Sequence, residues 1–561
     1  MRLRYQTCRF CIKTAALPTL AAAVLATVGI APIGVVQAQA MPDYPTGSGI
    51  PLPGPTGVPS GVPSGTGPES PVARRGALGW WTEATLNSQA TLTNNSNYGD
   101  STNRESDLIL ELTPALRFNR EGARLRVNGA AAVDLLYYVD GTQASRALPQ
   151  VDILANLEAV ENLFSIDGAI VVNQDVVNPF LPRAEFSSAN NSYTYAQARL
   201  APYLQGQIGQ NLSWLIRSDN SYTWTSQTDD PLSNAYYARH LAQVVRNPTP
   251  FGLTLQVSRD LTRIQNQLQP DQTLDTALAI FNYAVSAQLT VGLRGGYENT
   301  NYTAQETGGP IYGANIDWRP SPLSSVIGYW EQRFYGPSYQ FQASHRQRRL
   351  ASSLSAYRTI STYPQVLLQI PSTSNVAGLL DAILVARFPD PITRQQQVNE
   401  LITRQALPES LPSGAYVYNQ SANILTGANV NFGLIGVRNT VALNLYYLKT
   451  RLLPDARVPT TFLAFNNSEQ LGASLTLSHQ LSQVMNLNGT IGGYQTKGFD
   501  QTEGLDTRQG LASLQVNWQL SPKNTVFLGT RYQYQRNKSA AAAFFDSTSE
   551  AAIFAGLFHR I

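Results

Sequence analysis

Cysteine is almost missing from this chain: Cys8 and Cys11 are the two it has, and both lie in the first forty residues. Met1 to Ala40 reads as a cleaved secretory signal. Arg2, Arg4, Arg9 and Lys13 precede an alanine-rich apolar stretch from Ala15 to Val36, and Ala38-Gln39-Ala40 supplies an A-x-A cleavage pattern. A mature chain starting after it holds no thiol, which excludes disulfides, thiol catalysis and thiolate metal sites. Charge is scarce as well, at 14% of residues against about 25% in soluble domains. Without the four leader cations, 36 basic side chains face 37 acidic ones, a net charge of −1, so no nucleic-acid partner is implied. Lysine is rarer still, at 5 residues against 35 arginines.

Long apolar runs are lacking too. Past the leader no stretch approaches the 18 or so residues of a membrane helix, and mean hydropathy is −0.18. Nor does a catalytic signature stand out. His240, His345, His479 and His559 are far apart with no ligand spacing, and no G-x-S-x-G, H-E-x-x-H or phosphate-binding loop occurs. An outer-membrane phospholipase would need a Ser/His pair on one outward surface, and nothing in the sequence marks one. The expectation is a protein that is not an enzyme and holds neither cofactor nor metal.

What the chain does have is a period of two. In Ala123–Tyr138, Leu125, Val127, Ala131, Val133, Leu135 and Tyr137 share one face, while Arg124, Arg126, Asn128 and Asp134 lie on the other. Leu514, Val516, Trp518 and Leu520 alternate with Ser513, Gln515, Asn517 and Gln519. Val526, Leu528, Tyr532 and Tyr534 alternate with Gly529, Arg531 and Gln533. This is strand periodicity. Near the C-terminus Ile553, Leu557, His559 and Ile561 fall on one face, as a closing strand of a membrane barrel requires.

Tight turn signals at 119–122, 161–162, 209–211, 286–288, 319–322, 482–485 and 521–524 alternate with polar stretches such as 94–106, 173–191 and 451–467. Short periplasmic turns alternating with long external loops are the pattern of an outer-membrane barrel. The fold class is therefore all-β, a single-chain transmembrane antiparallel β-barrel of about 22 strands (an even number within 16–24) over residues 76–561. Residues 41–75, rich in Pro and Gly, form a disordered periplasmic tether. Residues 361–413 break the period. Asn375–Phe388 and Asp390–Leu407 have helical spacing, with Asp390 as a cap, so the barrel carries a short helical insertion in one long loop, a lid or constriction.

Candidate lumen-facing residues are Arg124, Arg126, Asn128, Asp134, Gln197, Arg199, Tyr203, Gln515, Asn517, Arg531 and Gln533; the arginines either brace the wall by pairing with acids such as Asp134 or stand free and favour anionic solutes. Tyr137, Tyr447, Trp518 and Tyr534 are candidates for an interfacial aromatic girdle.

From about Trp80 to Ile561 the chain resembles an uncharacterised outer-membrane barrel family associated with PEP-CTERM/exosortase loci. The residues that carry the resemblance are Trp81–Leu86 with Thr91–Asn95, Thr113–Arg117 with Glu121–Leu125, and Asp390–Asn399 with Leu407-Pro408. That resemblance implies exopolysaccharide export or envelope assembly and supplies no catalytic residues. The expected partners are outer-membrane lipid, the barrel-assembly machinery through the closing strand, and polysaccharide with periplasmic export components. The rival expectations are a general small-solute porin and an adhesive surface barrel with a blocked lumen.

Overall fold

Alternation at every second residue sends one set of side chains to each side of a strand, and here the two sets differ in kind. On the strand Phe251–Ile264, Phe251, Leu253, Leu255 and Val257 are 40–61% exposed, whereas Thr254, Gln256, Ser258 and Asp260 between them are at most 7% exposed. A sheet with oily and polar faces of this kind satisfies both only by rolling up with its polar side inward. The computed structural model describes residues 80–561, apart from 101, 177, 182–190, 210, 227–233, 266–270, 370–379, 381–382, 385–396, 399–420, 455–466 and 538–546. The expected signal, the tether and most of the helical insertion, Asp390 included, lie outside the described residues.

Twenty-two antiparallel strands form one closed sheet. The first eleven are β1 (Trp80–Thr93), β2 (Asp107–Glu121), β3 (Leu125–Tyr138), β4 (Arg146–Val160), β5 (Phe164–Val176), β6 (Ser192–Ile208), β7 (Leu212–Ser226), β8 (Ala235–Arg246), β9 (Phe251–Ile264), β10 (Gln272–Ser286) and β11 (Leu289–Thr300). The rest are β12 (Thr307–Ser321), β13 (Ser324–Arg333), β14 (Gly336–Arg346), β15 (Leu350–Ser361), β16 (Asn423–Ile435), β17 (Asn439–Leu452), β18 (Ser468–Gln480), β19 (Met485–Gly498), β20 (Asp506–Ser521), β21 (Asn524–Asn537) and β22 (Thr548–Arg560). Each pairs with its neighbours in sequence, and β22 returns to β1 over the register Thr85↔Arg560 to Thr93↔Ala552. Closure leaves no open strand edge, which is what a spanning sheet needs in a medium without water.

Connections alternate in length. At the short-turn end, Asn162 (φ 56°) and Gly209 (φ 68°) adopt the left-handed backbone that reverses the chain within a few residues. At the opposite end most loops are long; the exception is the two-residue tip Phe334–Tyr335 between β13 and β14. That tip packs on a cluster of Leu274, Tyr302, Ile360, Ala422, Ile424 and Leu453, contributed by the taller walls on either side.

The outer face is a belt of Leu, Ile and Val bounded by aromatic rings. Trp318 and Trp518 lie toward the short-turn end, and Tyr137, Tyr312, Trp330 and Tyr534 toward the long-loop end, each 44–56% exposed. An oily outer band between two aromatic girdles makes this an outer-membrane β-barrel.

Candidate functional site

The inner wall of β5–β9 concentrates charge. Asp167 of β5, Arg199 of β6, and Arg217 and Asp219 of β7 form an alternating chain. Arg217 pairs with Asp167 at 2.8 Å and with Asp219 at 2.9 Å, and Arg199 closes on the same Asp219. The Arg217 guanidinium also lies 5.0 Å above the Tyr203 ring. Farther round, Arg294 pairs with Glu331 and Arg333 with Glu298, both at 2.5 Å, and Arg531 with Glu550 at 3.0 Å. Buried charges of one sign would be costly; in pairs they offset each other and tie strands together, next neighbours in Arg199–Asp219 and Arg531–Glu550 and strands two apart in Asp167–Arg217, Arg294–Glu331 and Arg333–Glu298. The wall arginines therefore brace.

Against this wall lies a helix, α1 (Tyr363–Gln369), which leaves the end of β15 directly. Thr362-Tyr363-Pro364-Gln365 explains why it starts there. The Gln365 side chain accepts from the Thr362 backbone N–H at 3.2 Å, in the manner of a capping box, and Pro364 suits a first turn. The same Gln365 amide donates to Tyr237 at 3.3 Å and to Asp260 at 3.4 Å. Thr362 meets Thr262 hydroxyl to hydroxyl at 2.9 Å, Gln197 donates to the Pro364 carbonyl at 3.2 Å, and the Tyr363 and Tyr193 hydroxyls touch. Tyr193, Tyr195 and Tyr363 pack together, with Val171 and Leu367 against them. One helix end thus holds three strands, β6, β8 and β9, by polar contacts that water or a passing polar chain could replace.

The sequence-predicted residues fall as follows. Gln197, Arg199 and Tyr203 share the inner face of β6, and Asp219 reaches Arg199 there. Asp134 accepts from Thr113 and from Gln150, both at 2.8 Å, so its bracing includes a hydroxyl and an amide. Gln515 donates to Asn517 at 2.6 Å, and Gln533 accepts from Tyr98 at 2.7 Å. Arg126 and Asn128 continue the inner face of β3 to its exposed short-turn end. Arg124 does not project from a strand. It lies in the turn 122–124, because Gly122 and Leu125 close that turn through a 2.9 Å backbone bond, two to three residues later than the expected 119–122. Tyr137, Tyr447, Trp518 and Tyr534 stand on the outer face, Tyr447 less exposed than the others. Ile553, Leu557 and Ile561 also face outward, and His559 accepts or donates at Asn524 over 2.8 Å.

Within 361–413 the expected helices begin later than the first real one. Sequence reasoning passed over α1, whose signal was the capping box rather than an apolar stripe. Of the expected stretches, Leu380, Ile383, Leu384, Gln397 and Val398 are helical where described, and Val398 is fully buried.

All four histidines bond through Nδ1 to the residue directly opposite on the next strand. The pairs are Ser218–His240 (3.0 Å), Ser324–His345 (2.8 Å), Asn439–His479 (2.6 Å) and Asn524–His559 (2.8 Å). Ser218 and Ser324 are hydroxyls next to an imidazole on the outer surface, yet among the described residues no carboxylate orients either ring. The recurrence with Asn in place of Ser marks these as cross-strand pairs. No group of three or more potential metal ligands gathers among the described residues.

Residues 414–557 match the family described as surface lipoprotein assembly modifier. The matched stretch carries β16 to β21 and most of β22, the part of the cylinder that closes on β1. The segments that carry the resemblance to exosortase-associated barrels lie outside it. No curated protein matches the chain. Among solved structures, the chain is similar to the ferric enterobactin receptor of Pseudomonas aeruginosa, with a TM-score of 0.45 and 8% identity over 86% of this chain and 81% of that one. It is similar also to the siderophore receptor PirA of Acinetobacter baumannii (TM-score 0.44, 9% identity, 85% and 80% covered). The FrpB iron transporter of Neisseria meningitidis gives 0.44, with 9% identity over 85% and 82%.

Proposed function

We propose that this barrel is an accessory protein of envelope surface assembly, and that it passes an exported macromolecule through a polar lumen which α1 narrows at rest. The observation that carries the reading is α1 itself, held on the inner wall by exchangeable hydrogen bonds at the head of a long insertion. A wall of Tyr, Gln, Ser and Thr with Arg199, Arg217, Arg294, Arg333 and Arg531 already paired offers hydrogen bonds in place of hydration, which suits a neutral polar chain. The resemblance of the first strands and the insertion to exosortase-associated barrels makes exopolysaccharide our choice of cargo. Delivery through a cleaved signal, and insertion by the barrel-assembly machinery through β22, belong to the same proposal, as does the absence of an enzymatic step.

The match of residues 414–557 favours a second reading, in which the cargo is a surface lipoprotein. A deletion strain separates them. Loss of surface polysaccharide with normal small-solute permeability and normal lipoprotein display supports polymer export. Loss of protease-accessible surface lipoprotein with polymer intact selects the second reading. A strain unchanged in both, or one in which only small-solute uptake falls, removes surface assembly and leaves a porin.

A further inference from the structure

Four cations on the outer face near the long-loop end of this barrel come with acids. Arg259 lies 3.6 Å from Asp275, Arg263 2.6 Å from Asp271, Lys449 3.6 Å from Glu469, and Arg451 3.7 Å from Asp500. Arg358 of β15 turns instead to the Pro337 carbonyl, and two further arginines have no acid partner among the described residues. Arg508 of β20 and Arg536 of β21 are directly opposed in the register, so like charges face each other across one strand spacing. Both are exposed, and among the described residues neither has an acid within ion-pair distance. The nearest carboxylate in the pattern is already engaged: Asp506, one outward step from Arg508, accepts from Gln495 at 2.6 Å. Lys497 of β19, also exposed, stands opposite Asp506 on one side and Glu469 on the other, so it is flanked by acids and the two arginines are not.

Depth decides what meets this pair. The outward residues next below it on β21 are Tyr534 and Tyr532, 47% and 50% exposed, and then Leu528 of the oily belt at 60%. The Tyr534 ring lies across Gly510, where an added Cβ would come within 2.2 Å of it, so it covers the outer face one step below Arg508 and Arg536. Arg508 and Arg536 therefore sit one step above the aromatic girdle, at the level of lipid headgroups rather than of acyl chains or open water. A guanidinium pair prefers an oxyanion with several acceptor oxygens that both forks can share, and phosphate is that group.

We propose that Arg508 and Arg536 form an outward-facing site for the phosphate of a lipid headgroup in the leaflet at the long-loop end. The phosphate supplies the counter-charge that no described residue gives these two guanidiniums, and the lipid's acyl chains run down the belt past Tyr534, Tyr532 and Leu528. This site stands apart from the lumen and does not depend on the transport reading.

The test uses the full-length protein purified in detergent, native mass spectrometry, and a phosphorylated glycolipid (lipid A) as probe. Wild type should retain the lipid. Arg508→Gln/Arg536→Gln should retain roughly tenfold less, the loss expected for one charged hydrogen bond or more, while Arg259→Gln should behave as wild type. Folding is checked for each variant by heat-modifiable gel mobility, and Arg536→Gln alone serves if the double variant fails that check. Equal retention by wild type and the variant overturns the site. Equal retention of the dephosphorylated lipid overturns the role of phosphate. Complete displacement by millimolar inorganic phosphate overturns a lipid source in favour of a free anion.

Discussion

The hydroxyl of Thr93 donates to Glu550 at 2.9 Å, across 457 residues of chain and across the seam where the first strand meets the last. Glu550 is 2% exposed and also accepts from Tyr98 at 2.6 Å and pairs with Arg531 at 3.0 Å. At the opposite end of the same seam Arg560 reaches Glu83 at 2.9 Å. The closure is thus pinned at both ends by acids, with backbone pairing between them.

Removing the upper pin should weaken closure strongly. Glu550→Ala leaves a buried guanidinium, a phenol and a hydroxyl without their common acceptor, a loss of about 3–5 kcal/mol for a broken buried pair. The temperature at which the folded, fast-migrating band disappears in heat-modifiable electrophoresis should fall well below that of wild type. An unchanged transition would mean that the seam depends on its ladder alone.

The two faces of a strand should answer oppositely to charge. Leu475→Arg on the outer face of β18 should cost about 2–4 kcal/mol in urea titrations of vesicle-folded protein. Gln515→Lys on the inner face of β20, beside water and Asn517, should stay within about 1 kcal/mol of wild type. Reversed sensitivities would invert the assignment of belt and lumen.

Thr262 and Thr362 are close enough for a reversible lock. In Thr262→Cys/Thr362→Cys, oxidation should tie α1 to β9 and stop export of the surface polymer, and reductant should restore it. Full export by the oxidised protein would show that α1 is not the moving part. Cys8 and Cys11, both in the leader segment, are the chain's other thiols, so the readout is simple.

If the outer-face Ser–His pairs are structural, an activated-serine probe should find nothing. A fluorophosphonate incubated with the folded protein in detergent or in vesicles should leave Ser218 and Ser324 unlabelled by mass spectrometry. Labelling at either, lost on His240→Asn or His345→Asn, would make this barrel a lipid hydrolase.

Outside the membrane, Asp271 in the β9–β10 loop accepts from Arg263 Nε at 2.9 Å and Nη2 at 2.6 Å, and this holds its carboxyl below the usual range. A carboxylate lowered on folding stabilises the loop above the unfolded value of about 3.9 and loses that contribution as pH falls through its own lower midpoint. Carboxyl carbon shifts should therefore show Asp271 titrating below about 3.9, and Arg263→Ala should return it toward that value. A wild-type midpoint at or above it would contradict the clamp.

The cylinder was legible because a period of two, repeated between turn signals, admits few other arrangements. Boundaries were less so. Arg124 was read as a strand residue because the alternation runs on through it, and only the Gly122–Leu125 backbone bond places it in a turn. The inner wall was half legible. Arg199 was visible as an inward cation, but its partner Asp219 lies on another strand, and register across the 209–211 turn decides the pairing. Asp134 was expected to meet arginine, whereas Thr113 and Gln150 occupy two of its acceptor positions. The helix α1 escaped because a seven-residue helix shows no repeating stripe, and its four-residue start is a signal only beside a strand that ends there. The cross-strand histidines were unreadable in principle, since each partner is fixed by register.

The pairing of Thr85 with Arg560 has a consequence for biogenesis. The seal seen here forms last, because the residues that shut the ring are separated by nearly the whole polypeptide. Until β22 has emerged, twenty-one strands present two bare rims of amide and carbonyl groups. A chain cut anywhere before that point therefore keeps a β1 edge without its partner, the kind of open rim that invites pairing with other chains.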